Sequence, residues 1–89
     1  MMFVVLVYDV NRSRIPMVHK VCKRYLYWVQ NSVFEGEITK EKLKKLVSEL
    51  EKIIDKNEDS ILIVKFITKN SAKQIKLGLY KGTGGDFVI

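Results

Sequence analysis

The chain has 89 residues, enough for one domain, and a chain this short buries only about 60–65% of the surface that its unfolded form exposes. Hydrophobic residues make up 47% and charged residues 29%, a globular composition that argues against a disordered chain. Sixteen lysines and arginines against ten aspartates and glutamates give a formal net charge of +6. This balance favours polyanionic partners, nucleic acid before membrane, although a lysine-rich surface can also serve solubility alone.

Composition disfavours several kinds of site and location. A single histidine, His19, and a single cysteine, Cys22, cannot build a zinc site of the usual type or an internal disulfide. We expect a buried thiol at Cys22 and a surface position for His19. No apolar run approaches the ~20 residues that span a bilayer, and the first residues lack the basic segment of a signal peptide. We therefore expect a cytoplasmic protein with no membrane attachment.

The chain begins with an apolar strand that ends at an acid. Met2 to Tyr8 is nearly continuous in apolar and β-branched residues, which is typical of a central strand covered on both faces. Asp9 follows, and a polar, basic segment leads to Pro16, which suits the first turn of a helix. Helical spacing predicts a helix over Pro16–Leu26, with one packed side and one cationic side. The packed side consists of Val18, Val21, Cys22 and Tyr25.

The middle of the chain predicts a strand and then the most regular helix. Tyr27–Phe34 has the alternation of a strand, and Glu35-Gly36-Glu37 is predicted to break it. Thr39 is a good N-cap for the helix that follows, whose apolar stripe runs to Ile54. A heptad zipper is the alternative, but the pattern lasts only about two heptads, which is too short for a coiled coil.

The last third of the chain predicts two strands and a short apolar tail. Ser60–Thr68 is an apolar strand, and Gln74–Tyr80 alternates as a half-exposed strand does. The Gly82–Gly85 loop is read as a flexible link and not as a phosphate cradle, because no helix follows it. Phe87–Ile89 is predicted to form a short fifth strand.

The order of elements predicts an α+β fold of the ferredoxin-like βαββαβ type, as a single domain over residues 1–89. Both helices then cover one face of the sheet and leave the other face bare. Because both sides of the first strand are apolar, we expect the bare face to pack on a second copy. The result is a two-fold homodimer packed through its sheet faces.

Asp9 is the acid best placed for chemistry. If two sheets face each other, Asp9 and its symmetry mate lie near the dimer axis, where they could share one Mg²⁺, a cation that needs few protein ligands. Such a metal polarises a phosphate and lowers the pKa of an attacking water. The alternative is structural, because an aspartate here can also cap the turn to Asn11.

Basic and aromatic side chains near this acid indicate contacts with nucleic acid. Arg12 and Arg14 follow directly, and the first helix adds cations that can contact phosphates independently of sequence. Tyr8, Trp28 and Phe34 are candidates for stacking on bases, and the alternative for each is a place in the core or in the dimer interface. The cations of the helix are Lys20, Lys23 and Arg24.

Three stretches of the sequence are distinctive: Val7–Val10 at the end of the first strand, Lys23–Leu26 at the end of the first helix, and Trp28–Glu37 after it. They resemble the CRISPR-associated Cas-two family. The run Gln-Asn-Ser-Val-Phe-Glu-Gly that begins at Gln30 is the most specific of them. The resemblance covers essentially the whole chain.

The resemblance implies a ferredoxin-like homodimer in which residues 81–89 of each chain pack on the partner protomer and extend its sheet. It also implies two activities of different kinds. One is a metal-dependent endonuclease that cuts single-stranded RNA or, in some members, double-stranded DNA, with Asp9 binding Mg²⁺. The other is a non-catalytic scaffold that bridges dimers of the Cas-one integrase and holds spacer DNA during its insertion into the CRISPR array.

By position, Tyr8, Asp9, an arginine and Phe34 match the active-site neighbourhood of that family. The arginine is Arg14 or Arg12, and we expect it to neutralise charge on the phosphate. The combined prediction is a dimeric nucleic-acid-binding protein of CRISPR adaptation, with Asp9, Tyr8 and Arg14 as catalytic residues. A ferredoxin-like toxin ribonuclease of a toxin–antitoxin pair is a further alternative.

Overall fold

The structure is a computed structural model, and it describes residues 1–68 and 71–79. Five strands and two helices account for most of these residues. They are β1 (Met2–Asp9), a 3₁₀ turn (Arg12–Arg14), α1 (Ile15–Tyr25), β2 (Tyr27–Gln30), β3 (Val33–Ile38), α2 (Lys40–Ile53), β4 (Ser60–Thr68) and β5 (Ser71–Gly78).

The five strands form one antiparallel sheet in the order β2-β3-β1-β4-β5. The first four strands have the ferredoxin-like order, in which each helix connects two parallel strands that are not neighbours. β1 lies at the centre and pairs with β3 on one side and β4 on the other, as its apolar sequence predicts. The predicted fold class is confirmed.

The prediction of a single strand over Tyr27–Phe34 is wrong, because a tight turn divides this segment into two strands. Asn31 has a φ of 44°, a left-handed conformation that asparagine tolerates better than most residues. β2 and β3 pair as an antiparallel hairpin around it. The predicted break at Glu35-Gly36-Glu37 is also wrong, because β3 continues through it with its two glutamates exposed and its glycine buried.

The helices form where the pattern predicts them. α1 begins one residue before Pro16, which occupies its first turn. Thr39 Oγ1 accepts a hydrogen bond from the Lys42 backbone N–H at 3.2 Å, which confirms Thr39 as the N-cap of α2. β4 has the predicted bounds, and β5 begins at Ser71, three residues before the predicted Gln74.

Both helices pack on one face of the sheet and bury a single apolar core. Alternate residues of β1, beginning with Val4 and Leu6, meet the helices there. Cys22 is fully buried in this core, where desolvation raises the pKa of its thiol to about 12. The expected buried thiol is confirmed. The helix residues of the core are Val18, Val21, Cys22, Leu43, Leu46 and Leu50.

The opposite face of the sheet is apolar along its middle, and neither helix covers it. Val5 and Val64, which are register partners, are 7% exposed each. Phe3 and Phe66 are 39% and 40% exposed, and their ring centroids lie 6.2 Å apart. We call this surface the open face, and it consists of Phe3, Val5, Val7, Val33, Leu62, Val64 and Phe66.

Expectations about the C-terminus lie outside the described residues. These are the end of the predicted strand at Tyr80, the Gly82–Gly85 link, the strand at Phe87–Ile89 and the packing of residues 81–89 on a partner. Within residues 1–68 and 71–79, no helix is long and apolar enough to cross a membrane. The cytoplasmic location stays a prediction.

Candidate active site

Asp9 is the last residue of β1 and lies on the same side of the sheet as the open face. Strand alternation directs its side chain to the face that carries Val5 and Val7, whereas Tyr8 points into the core. Its register partner on β4 is Ser60, and Asp9 is exposed. The predicted acid therefore lies at the accessible end of an apolar strip.

A buried carboxylate, Asp59, holds the segment that follows Asp9. Asp59 has no exposed surface, and its two oxygens accept four hydrogen bonds. Two come from the backbone N–H groups of Asn11 and Asp55, each at 2.8 Å, and two come from the Arg14 guanidinium. These donors stabilise the charged carboxylate, and chiefly because of Arg14 the pKa of Asp59 falls to about 2.

Arg14, one of the two candidates for the site arginine, is paired with Asp59 and Glu58. Its Nε lies 2.5 Å from Asp59 Oδ2, and its Nη2 lies 3.1 Å from both Asp59 Oδ1 and Glu58 Oε2. The hydrogen bond to Asp59 is the main reason that the pKa of Arg14 is raised. Arg12 is exposed on the 3₁₀ turn, and no ion pair to it occurs within the described part of the chain. Arg14 thus positions the loop, and Arg12 is accessible to a ligand.

The other two residues matched to the site, Tyr8 and Phe34, belong to the core. Phe34 has no exposed surface and Tyr8 is 6% exposed, with their ring centroids 6.3 Å apart. Burial raises the pKa of Tyr8, and Cys22 adds to the shift. No base can stack on Phe34 in this conformation, so the alternative of a core position applies to it. Tyr8 and Asp9 lie on opposite faces of the sheet.

His19 is not the surface histidine that we expect from the sequence. It is half-buried, and its ring meets those of Trp28 and Phe34 edge-on, with centroid distances of 5.2 and 5.0 Å. Trp28 is 55% exposed. Among the three aromatic candidates for base contacts, Trp28 is the one with a large accessible surface.

The helix cations do not converge on the end of β1. Lys20 and Lys23 are exposed, and Arg24 pairs with Glu49 of α2, which also accepts a hydrogen bond from the Tyr25 hydroxyl. α1 runs away from the end of β1, and its 11 residues span about 16 Å. The three cations therefore extend along the helix surface, and Arg24 also joins the two helices.

Two residues that control the geometry of this region were not predicted. Asp59 is one, and Gly78 at the end of β5 is the other. Gly78 has a φ of 76°, and a Cβ there would stand 2.2 Å from the Asp59 carbonyl oxygen, which accepts a hydrogen bond from the Leu79 N–H at 2.7 Å. In the sequence, Asp59 is only an acid just before an apolar strand, and Gly78 is only a glycine within an alternating strand. Neither feature alone is enough to predict the contact between them.

The donor set around Asp9 decides whether a divalent cation fits. Within residues 1–68 and 71–79, no group of three or more His, Cys, Asp or Glu side chains could hold a metal ion. Glu58 and Asp59 are already paired with Arg14. A carboxylate oxygen is a ligand that Mg²⁺ prefers, and Mg²⁺ keeps several waters. Asp9 alone is therefore an incomplete set of ligands, and a metal ion at this position would need a second carboxylate or a phosphate.

Comparison with known proteins agrees with this fold. The family model for CRISPR associated protein Cas2 matches residues 2–75. The chain belongs to the Cas2 family. It is 41% identical over 87 residues to the CRISPR-associated endoribonuclease Cas2 2 of Archaeoglobus fulgidus, which covers 98% of this chain and 95% of that protein. It is 44% identical over 87 residues to the CRISPR-associated endoribonuclease Cas2 of Thermotoga maritima, with 94% and 97% covered.

A solved structure gives the same result. The protein described as "Crystal structure of cas2" matches with a TM-score of 0.72 and 41% sequence identity, and the match covers 99% of this chain and 95% of that one. Sequence and fold thus agree on a Cas2 family member. This membership favours a CRISPR-associated protein over the alternative of a toxin ribonuclease.

Proposed function

We propose that this Cas2 family member is a homodimeric, Mg²⁺-dependent endonuclease of CRISPR adaptation that hydrolyses single-stranded RNA at Asp9. The observation that carries the proposal is the position of Asp9, exposed at the end of β1 on the face that carries Val5 and Val7. The two relatives above are called endoribonucleases, which supports the same activity. Double-stranded DNA is the alternative substrate, because contacts to phosphates are common to both nucleic acids.

A second copy of the chain on the open face completes the site. Phe3 and Phe66 are about two-fifths exposed at one end of that face, and the apolar strip continues along β1 and β4 from them. A contiguous apolar strip on a small domain is where a partner packs. A two-fold axis through this strip gives both copies the same contacts and puts both Asp9 residues at one interface.

In this dimer each chain contributes one carboxylate, Asp9, to a shared Mg²⁺. The bound ion supplies polarisation of the phosphate and a lower pKa for an attacking water. Arg12 neutralises charge on the phosphate, and Arg14 fixes the loop that carries Arg12 by holding Asp59. Tyr8 supports the end of β1 from the core. Lys20, Lys23 and Arg24 contact phosphates along α1.

The test compares Asp9→Asn with Glu35→Gln, which changes another exposed carboxyl on the same side of the sheet. Proteins purified free of host nuclease are incubated with a labelled single-stranded RNA and Mg²⁺. We expect Asp9→Asn to lose about 100-fold or more in cleavage rate, because the metal ligand is gone, while Glu35→Gln keeps the rate of the wild type. Equal cleavage by Asp9→Asn and wild type would refute the site.

A second candidate function is the non-catalytic scaffold, in which the dimer bridges two dimers of the Cas-one integrase and holds spacer DNA. The observation that favours it is the small donor set, since the described part of each chain holds no group of three or more side chains that could bind a metal ion. Asp9→Asn separates the two functions in a spacer-acquisition assay. Loss of cleavage with normal acquisition assigns the biological role to the scaffold.

A further inference from the structure

Trp28 is a fixed and accessible aromatic side chain on the edge strand β2. Its indole N–H donates a hydrogen bond to the Asn31 carbonyl oxygen at 2.9 Å. The ring of His19 packs against it edge-on at an interplanar angle of 77°, and His19 in turn meets the buried Phe34 at 64°. One hydrogen bond and two ring contacts therefore connect Trp28 to the core, although 55% of it is exposed.

The exposed and held indole of Trp28 is better explained by stacking on a ligand than by a contribution to the stability of the fold. An indole that is already held loses little rotamer freedom when a flat ligand covers it. A core residue would bury more of its surface, and β2 is exposed along its whole length, with Tyr27 79% and Val29 48% exposed. The Trp28 ring therefore remains at the surface, and its hydrogen bond and ring contacts fix its orientation.

The charge around Trp28 indicates which ligand would cover it. Lys23 lies four residues after His19, so both project from the same side of α1, and Lys23 is exposed. An exposed aromatic ring with a cation on the same side of the molecule suits single-stranded nucleic acid, with a base on the ring and a phosphate on the lysine.

The sheet places Trp28 and Asp9 on opposite faces. Trp28 is the register partner of Phe34 and shares its side of the sheet, where His19 packs against both rings, whereas Asp9 lies on the side of the open face. The surface at Trp28 is therefore a separate contact for nucleic acid and not a part of the site at Asp9.

We propose that Trp28 is a stacking platform for an unpaired base, so that it selects single-stranded over double-stranded nucleic acid. This inference rests on the proposed nucleic-acid-binding function and adds a residue that discriminates between substrates. A base within a duplex is already stacked on its neighbours and cannot cover the indole. A protein partner that covers Trp28 is the competing occupant.

Trp28 is the only tryptophan in the chain, so its fluorescence reports on this site alone. The probes are a labelled oligouridylate of twelve nucleotides and a blunt RNA duplex of the same length, each at about 50 mM salt without Mg²⁺ so that phosphate contacts are strong and cleavage does not interfere. We expect the single strand to quench Trp28 emission and the duplex to leave it unchanged. Anisotropy of the label measures affinity independently of the tryptophan.

The variants are Trp28→Leu, Trp28→Phe and the neighbouring control Tyr27→Leu, with circular dichroism to confirm folding. Trp28→Leu should weaken binding of the single strand about tenfold and leave duplex binding unchanged, whereas Trp28→Phe restores most of the affinity. If the wild type binds the single strand without quenching of Trp28, and Trp28→Leu binds it equally well, the stacking site is wrong and the proposed function still stands. No binding of either probe to the wild type overturns both.

Discussion

Arg14 and Asp59 form a two-pronged ion pair that joins the start of α1 to the turn before β4, with Nε 2.5 Å from Oδ2 and Nη2 3.1 Å from Oδ1. The same carboxylate accepts the backbone N–H of Asn11, two residues after Asp9. The loop that leaves the candidate site is therefore anchored at Asn11 by a buried acid 48 residues away in the sequence. Arg14, a candidate for phosphate contact, acts instead as a positioning residue.

This pair predicts loss of stability in acid. The pKa of Asp59 is about 2 in the folded state and 3.8 without its partners. Its contribution to stability is therefore fully present above about pH 4 and is lost as the pH falls towards 2. The gain is about 2 kcal/mol. Urea unfolding at pH 5 and pH 3 measures it in the wild type and in Asp59→Asn. At pH 5 the free energy of unfolding should be lower in Asp59→Asn than in the wild type, and it should fall less between pH 5 and pH 3. An equal fall in both proteins would contradict the role assigned to Asp59.

Arg14 and Arg12 make a matched pair for separating structure from binding. In Arg14→Lys the ammonium cannot form the forked contact with Asp59, so we expect the Tm to fall by about 5 °C. Arg12→Ala should leave the Tm unchanged and weaken RNA binding, because Arg12 is exposed on the 3₁₀ turn. Scanning calorimetry and anisotropy measure the two properties. The opposite pattern would exchange the roles of the two arginines.

Gly78 is predicted to tolerate no side chain. In Gly78→Ala the new Cβ would stand 2.2 Å from the Asp59 carbonyl oxygen, and the backbone would keep a φ of 76° that alanine disfavours. We expect the free energy of unfolding to fall by about 3 kcal/mol or more, since both backbone strain and a clash result. Gln74→Ala, on the exposed part of β5, is the control and should stay near wild type. A stable Gly78→Ala protein would mean that β5 ends differently.

The open face predicts a dimer that a single charge disrupts. Phe66→Glu places a carboxylate in the apolar strip, where a second copy would bury it without a partner. Sedimentation at micromolar concentration should find the wild type as a dimer and this variant as a monomer. Met17→Glu, which changes a 57% exposed residue on α1, should remain dimeric. A monomeric wild type would remove the basis for a shared metal site.

The fold was largely predictable because its signals are local. The apolar run of β1 and the capped helix after Thr39 are periodic patterns that identify an element wherever it packs. The β2–β3 hairpin was missed because its turn depends on one left-handed residue, Asn31, within a segment that otherwise alternates as a strand does. A left-handed conformation at one residue is difficult to predict from the sequence.

The site was less predictable because its partners are distant in the chain. Asp9 was identified from its place after a strand, but nothing near it in sequence indicates that Asp59 would bind Arg14. Among the aromatic residues, sequence patterns left open which would be buried. Packing decided it, with Phe34 in the core and Trp28 at the surface, because the hairpin makes β2 an edge strand.

The most direct test of the account is the cleavage rate of mixed dimers. Wild-type and Asp9→Asn chains are unfolded together and refolded in known ratios, so that the two chains combine at random. If both Asp9 residues hold one metal ion, only dimers with two wild-type chains cut RNA, and an equal mixture keeps about one quarter of the wild-type rate. A rate of about one half, linear in the wild-type fraction, would mean that each Asp9 acts alone and would contradict a site shared between two copies.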